Sequence, residues 1–155
     1  MVVSFINKIF KDNNLVIDNL YIGCHETVKK YSDNFDVIIN VTPNIPFYGN
    51  NKYKYRIPVL DNLSMSSCIS LFLYSLKILP LIHKHLKNKN KVLIHCRAGM
   101  QRSATLIAIY LMIYHNMSMY GSIRYIKNKR PLAFILFPHF LHTLHMIESF
   151  KKHYI

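Results

Sequence analysis

Lys91–Met112 reads KVLIHCRAGMQRSATLIAIYLM, and its reading decides the fold. It opens on a short apolar run, Val92-Leu93-Ile94, of the kind that forms a buried strand. His95 and Cys96 stand at the end of that strand. Five residues, Arg97-Ala98-Gly99-Met100-Gln101, make a tight loop in which Gly99 permits unusual backbone angles. The chain then enters a helix at about Arg102, with Leu106, Tyr110, Leu111 and Tyr114 at helical spacing. A loop between a strand end and a helix start directs several backbone N–H groups inward and forms a concave anion site. The helix N-terminus adds partial positive charge at the same place. Arg102 supplies a planar fork that fits two oxygens of a phosphate. The same surroundings stabilise a thiolate, lowering a cysteine pKa from about 8.5 to between roughly 3.5 and 7.5. Cys96 is therefore a candidate nucleophile at the floor of a phosphate cradle, suited to covalent phosphoryl transfer.

Working outward, further apolar runs of strand length precede this segment. Leu15-Val16-Ile17 and Leu20-Tyr21-Ile22 flank the turn pair Asp18-Asn19. Val37 to Val41 and the alternating Tyr53 to Pro58 follow. Helices are expected from Ser66 or Ser67, as cap, toward Lys87, with a kink or split at Pro80. Others are expected over Ser118 to Lys127 and from Pro138 through Phe140, Leu141, Leu144 and Ile147. Strands alternating with helices, then helices alone, predict an α/β fold: a central, mostly parallel, twisted sheet of about five strands flanked by helices.

Composition sets bounds on this reading. The chain has 155 residues, 51% hydrophobic and 17% charged, which suits one compact domain over 1–155 and excludes a disordered protein. Three cysteines exclude a disulfide-stapled scaffold and suit a reducing compartment. A cytoplasmic location is expected, with the nucleus also open to it. No targeting segment stands out, and no transmembrane segment is expected: Leu71 to Ile82 is interrupted by Lys77 and Pro80. Residues 1–13 read as an N-terminal helix or interaction segment with Phe5, Ile6, Ile9 and Phe10 on one side, a candidate homodimer contact. Lys plus Arg number 20 against 7 acids, a formal charge of +13 that favours phosphorylated proteins, nucleic acid or an acidic membrane face.

His95-Cys96, five residues, Arg102 and Ser103 resemble the signature of the cysteine-dependent phosphatases, and HCRAGMQRSAT followed by IYLM resembles the dual-specificity subfamily. Asp18 to Gly23, Phe35 to Thr42 and Lys129-Arg130-Pro131 resemble other parts of that family, so the likeness spans roughly Leu15 to Ser149. The resemblance implies a cysteine-phosphatase fold and hydrolysis of phosphotyrosine and phosphoserine or phosphothreonine. It implies Cys96 as nucleophile and the loop Arg97, Ala98, Gly99, Met100, Gln101 and Arg102 as phosphate holders. It gives His95 a supporting hydrogen bond, and it makes Ser103 the hydroxyl that eases thiolate departure. A leaving oxygen also needs a proton donor. Asp61 is the only acidic residue between Asp36 and Glu148, and the stretch Ile57-Pro58-Val59-Leu60-Asp61 resembles the family's general-acid loop.

Two departures from the family stand out. No Asn follows Arg130-Pro131 to brace the phosphate loop, so bracing must come from elsewhere. Gln101 is an uncommon residue before the arginine, and its side chain is expected to point to solvent or substrate. Lys127, Lys129 and Arg130 are candidate readers of acidic or phosphorylated substrate flanks. Cys24 and Cys68 read as buried inert thiols, with a resolving role for oxidised Cys96 as the other reading. His139, His142 and His145, spaced by three, lack a completing Cys or carboxylate, so neither metal nor cofactor is expected. RNA 5′ ends, phosphoinositides and a catalytically inactive phosphate-binding module remain alternatives.

Overall fold

The computed structural model describes Val2 and residues 11–155; the expected N-terminal segment lies largely outside the described residues. Five strands form one sheet: β1 (Asn13–Ile17), β2 (Leu20–Gly23), β3 (Val37–Asn40), β4 (Tyr53–Arg56) and β5 (Val92–His95). Their spatial order is β1-β2-β5-β3-β4, with β1 antiparallel to β2 and every other pairing parallel. The hairpin turns at Asp18-Asn19, where Asn19 takes the left-handed conformation at φ 63° that asparagine tolerates. β3 and β5 are buried at every position, as their continuous apolar runs require of central parallel strands.

The helices are α1 (His25–Tyr31), α2 (Met65–Lys87), α3 (Arg102–Tyr114), α4 (Met119–Lys129) and α5 (Leu141–Tyr154). α3 is buried over nearly its whole length and packs against β5, α2, α4 and α5. Three helix expectations need correction. α2 is capped by Ser64, whose Oγ accepts the Ser67 N–H, and not by Ser66 or Ser67. Pro80 does not split α2: it stands on the exposed side, where water can hydrate the carbonyl it leaves unbonded. Meanwhile Leu71, Ile78, Leu79 and Ile82 anchor the opposite face in the core. Pro138 precedes α5 by a turn and does not open it. By length and composition α2 would also pass for a membrane span, contrary to the expectation drawn from Lys77 and Pro80.

β5 lies between β2 and β3, and its last residue, His95, is in register with Gly23 and Asn40. The chain therefore leaves the centre of the sheet at Cys96, at the carboxyl ends of the parallel strands. That is where open α/β sheets place their ligands.

Candidate active site

Residues Arg97–Gln101 wrap around the Cys96 sulfur, which is only 3% exposed. Burial pushes the thiol pKa up. The Ser103 hydroxyl and N–H, the Arg102 charge and the Gly99 N–H push it down and prevail, so Cys96 sits below the usual thiol range. The Ser103 Oγ lies 3.2 Å from the sulfur. His95 behind it is fully buried, and its Nδ1 lies 3.3 Å from the Cys96 carbonyl. Burial lowers the His95 pKa to about 4, against that hydrogen bond; His25, Arg56 and Arg102 add to the depression. His95 is thus neutral at neutral pH; its Nδ1 has the Cys96 carbonyl as partner, and its buried Nε2 has none among the described residues.

Gly99 has φ 66°, and a Cβ there would collide with the backbone carbonyl of Gly23 at the end of β2. Both conformation and closeness demand glycine. Arg102 is buried, and its Nη1 donates to the Val59 carbonyl at 2.9 Å. Its Nε has no partner among the described residues, while the guanidinium lines the cleft above Cys96. A phosphate oxygen would satisfy that donor.

The cleft holds about 440 Å3. Its floor is Cys96 with Arg97, Ala98, Met100, Gln101 and Arg102; its walls are Pro43-Asn44, Leu60-Asp61, and Ile135 with His139. Asp61 is the one carboxylate lining it among the described residues. The wall at Pro43-Asn44 is held by a network the sequence did not disclose. Asn40 Nδ2 donates to the Ile45 carbonyl at 2.7 Å, and Arg56 donates to the Thr42 and Ile45 carbonyls at 2.9 Å each.

Arg130 supplies the missing loop brace. It is 5% exposed; Nε donates to the Gly99 carbonyl at 2.7 Å and Nη2 to the Ala98 carbonyl at 3.1 Å. Its Nη1 binds the Lys11 carbonyl and Asn14 Oδ1. Arg130 is therefore no surface reader of substrate flanks: its donors are consumed by backbone and by Asn14. Lys127 is exposed, and its Nζ donates to the Ala133 carbonyl at 3.1 Å.

Gln101 also departs from expectation. Its side chain is buried: Nε2 donates to the Phe137 carbonyl at 3.1 Å, and Oε1 accepts the His139 N–H at 2.9 Å. His139 lies before α5, whereas His142 and His145 lie within it. Its Nδ1 is 2.8 Å from Asp61 Oδ1. No metal-ligating cluster occurs among the described residues. Cys24 and Cys68 are free; Cys68 lies in the core, whereas Cys24 is only partly buried, at the start of α1.

A thiol lowered by the Gly99 and Ser103 N–H groups, the Ser103 hydroxyl and the Arg102 charge, in a cleft shared with the Asp61 side chain at the end of a central parallel strand, defines a cysteine-dependent phosphatase. Residues 20–150 match the family described as "Dual specificity phosphatase, catalytic domain". The chain is 36% identical over 121 residues to "Putative tyrosine phosphatase 123R" of Invertebrate iridescent virus 6, covering 77% of this chain and 80% of that protein. It is 32% identical over 126 residues to human "Dual specificity protein phosphatase 7", covering 74% of this chain and 28% of that protein. Among solved structures, human DUSP28 superposes with a TM-score of 0.75 at 20% identity, over 89% of this chain and 93% of that one. The chain belongs to the dual-specificity phosphatase catalytic-domain family, and it is a cysteine-based phosphatase.

Proposed function

We propose that the protein dephosphorylates phosphotyrosine and phosphoserine or phosphothreonine in protein substrates through a cysteinyl-phosphate. The observation that carries this reading is the cleft above Cys96. It pairs an anion-binding floor with the partly apolar walls of Leu60, Pro43 and Ile135, which can flank an aromatic ring or a shorter side chain. In the first step the Cys96 thiolate attacks phosphorus, the bond to the substrate oxygen breaks, and Asp61 gives that oxygen its proton. Arg102 and the loop N–H groups hold the non-bridging oxygens as charge redistributes. In the second step the Asp61 carboxylate takes a proton from water, whose oxygen attacks phosphorus. The S–P bond breaks, and Ser103 stabilises the departing thiolate. Inorganic phosphate leaves, and no cofactor is consumed. The need for a free thiolate suits a reducing, intracellular compartment.

The test is phosphate release by wild type and Cys96→Ser. The substrates are a small aryl phosphate, a phosphotyrosine peptide, a doubly phosphorylated Thr/Tyr peptide and a 5′-triphosphate RNA. Cys96-dependent release from both peptide types, with little from RNA, is the expected result. Preference for RNA would keep the mechanism and replace the substrate. No Cys96-dependent release from anything would favour a phosphate-binding module.

A further inference from the structure

The contact between His139 and Asp61 has no part in the steps above, yet it ties the proposed proton donor to the phosphate loop. Asp61 lies on a wall with no regular secondary structure between Ile57 and Ser64. Such a segment does not by itself fix a carboxyl group to the fraction of an ångström that proton transfer asks for. Near the acid two side chains reach it: Arg102, from the end of the phosphate loop, and His139, from the opposite wall. Arg102 holds the Val59 carbonyl, two residues before the acid. Gln101, its neighbour in the chain, holds the opposite wall: its amide bonds the Phe137 carbonyl and the His139 N–H, and the Phe134 N–H donates to the Met100 carbonyl at 2.8 Å. With its backbone pinned, His139 points its ring at Asp61, and Nδ1 stands 2.8 Å from Oδ1.

We propose that His139 is a positioning residue for the general acid, with Gln101 as its anchor. The imidazole donates its Nδ1–H to Asp61 Oδ1. That leaves Oδ2 as the oxygen that carries the proton to the leaving group. His139 touches neither the phosphorus nor the sulfur and acts only through Asp61. The other charged groups lining the cleft are Arg97 and Arg102, with Cys96 as the remaining titratable one. The inference rests on the acid role proposed for Asp61.

The experiment measures kcat and KM on a series of aryl phosphates whose leaving phenols range from strongly acidic to tyrosine-like. The enzymes are wild type, His139→Ala, His139→Asn, Asp61→Asn and the His139→Ala/Asp61→Asn double variant. A good leaving group departs without a proton, so its kcat/KM, which stops at that departure and leaves out the second step in which Asp61 serves as base, reports on Cys96 and Arg102 alone. His139→Ala should keep kcat/KM within about twofold on the most acidic phenol and lose about 10–100-fold on the least acidic, part of the contribution typical of a positioned acid. His139→Asn, whose Nδ2–H can stand near the place of Nδ1–H, should recover most of the loss. The double variant should be no slower than Asp61→Asn, because the two residues act as one unit. His139 is partly exposed, so the variants should melt with wild type. A His139→Ala loss equal across all phenols, or one that adds to that of Asp61→Asn, would overturn the positioning role. If Asp61→Asn itself shows no dependence on the leaving group, Asp61 is not the acid, and the inference falls with that assignment.

Discussion

Replacing Arg130 with methionine removes every donor the guanidinium gives the phosphate loop while roughly keeping the length of the side chain. The Gly99 and Ala98 carbonyls then lose partners at 2.7 and 3.1 Å. Leaving a buried acceptor unpaired costs about 1–3 kcal/mol; Ala98 is exposed and water can take up its carbonyl, but the Gly99 carbonyl and Asn14 Oδ1, which also loses its Arg130 partner, are buried, so these two cost about 2–6 kcal/mol together. For a chain of this size each kcal/mol lowers the melting temperature by about 2–4 °C, which gives a drop of about 8–16 °C near the middle of that range. The same change slackens the turn at Gly99, whose N–H helps hold the Cys96 thiolate. The rising limb of kcat/KM against pH should therefore move to higher pH, and kcat should fall on every substrate, acidic-flanked or not. Thermal melts followed by circular dichroism, with pH profiles on an aryl phosphate, read both effects. Arg130→Lys keeps the charge without the fork and should recover only part of either. A variant that melts within about 2 °C of wild type, outside the expected loss, and is weakened only toward acidic peptides would refute the brace. It would restore Arg130 as a reader of substrate flanks.

Two further outcomes follow from the surroundings of Cys96. Ser103→Ala removes a hydrogen bond to the thiolate worth about 1.5–3 kcal/mol, so the thiol pKa rises by about one to two units and the rising limb of the pH profile shifts upward by as much. Phosphoenzyme should also accumulate, giving a burst of phenol release in stopped flow; an unshifted limb with no burst would remove Ser103 from both roles. His95 is neutral when folded, with a pKa of about 4 against the ordinary 6.5. Protonation therefore favours the unfolded chain, and stability should fall as pH drops from about 6.5 to about 4, by roughly 3 kcal/mol in all. Urea unfolding across that window checks it, and His95→Asn should flatten the slope; an equal slope in the variant would assign the loss elsewhere.

What the sequence disclosed and what it hid divide along range of contact. The strands, the Asp18-Asn19 turn, the bounds of α3 and the Cys96 loop are written in runs of a few neighbouring residues, where period and turn chemistry act. Arg130, Gln101 and His139 matter through bonds to segments 31 to 78 positions away. Locally Arg130 is one more cation beside Lys127 and Lys129, and Gln101 one more polar loop residue. The one available signal was negative: a phosphate loop whose usual Asn brace is missing still has carbonyls that need donors, and a neighbouring arginine can supply them. Pro80 fails in the other direction. The local rule against proline inside a helix is overridden because core packing holds α2 on both sides of it.

The same long-range bonds make the site a closed ring. Gln101 and Arg102 are adjacent in the chain; one grips the wall of His139 and the other the wall of Asp61, and His139 and Asp61 complete the circuit. The distance from Arg102 to Asp61 is thus set within a few bonds of the loop itself. In the proposed mechanism Arg102 has two duties, a donor edge toward phosphate and its observed Nη1 on the Val59 carbonyl. Lysine in its place keeps the charge but cannot serve both. If Arg102 only binds phosphate, Arg102→Lys should slow all aryl phosphates by the same factor. The ring requires more: a large loss on the best leaving group, and a further loss of about tenfold or more toward tyrosine-like phenols as Asp61 drifts. Rates across the leaving-group series decide between the two, and a uniform factor would show that the acid keeps its place without the arginine.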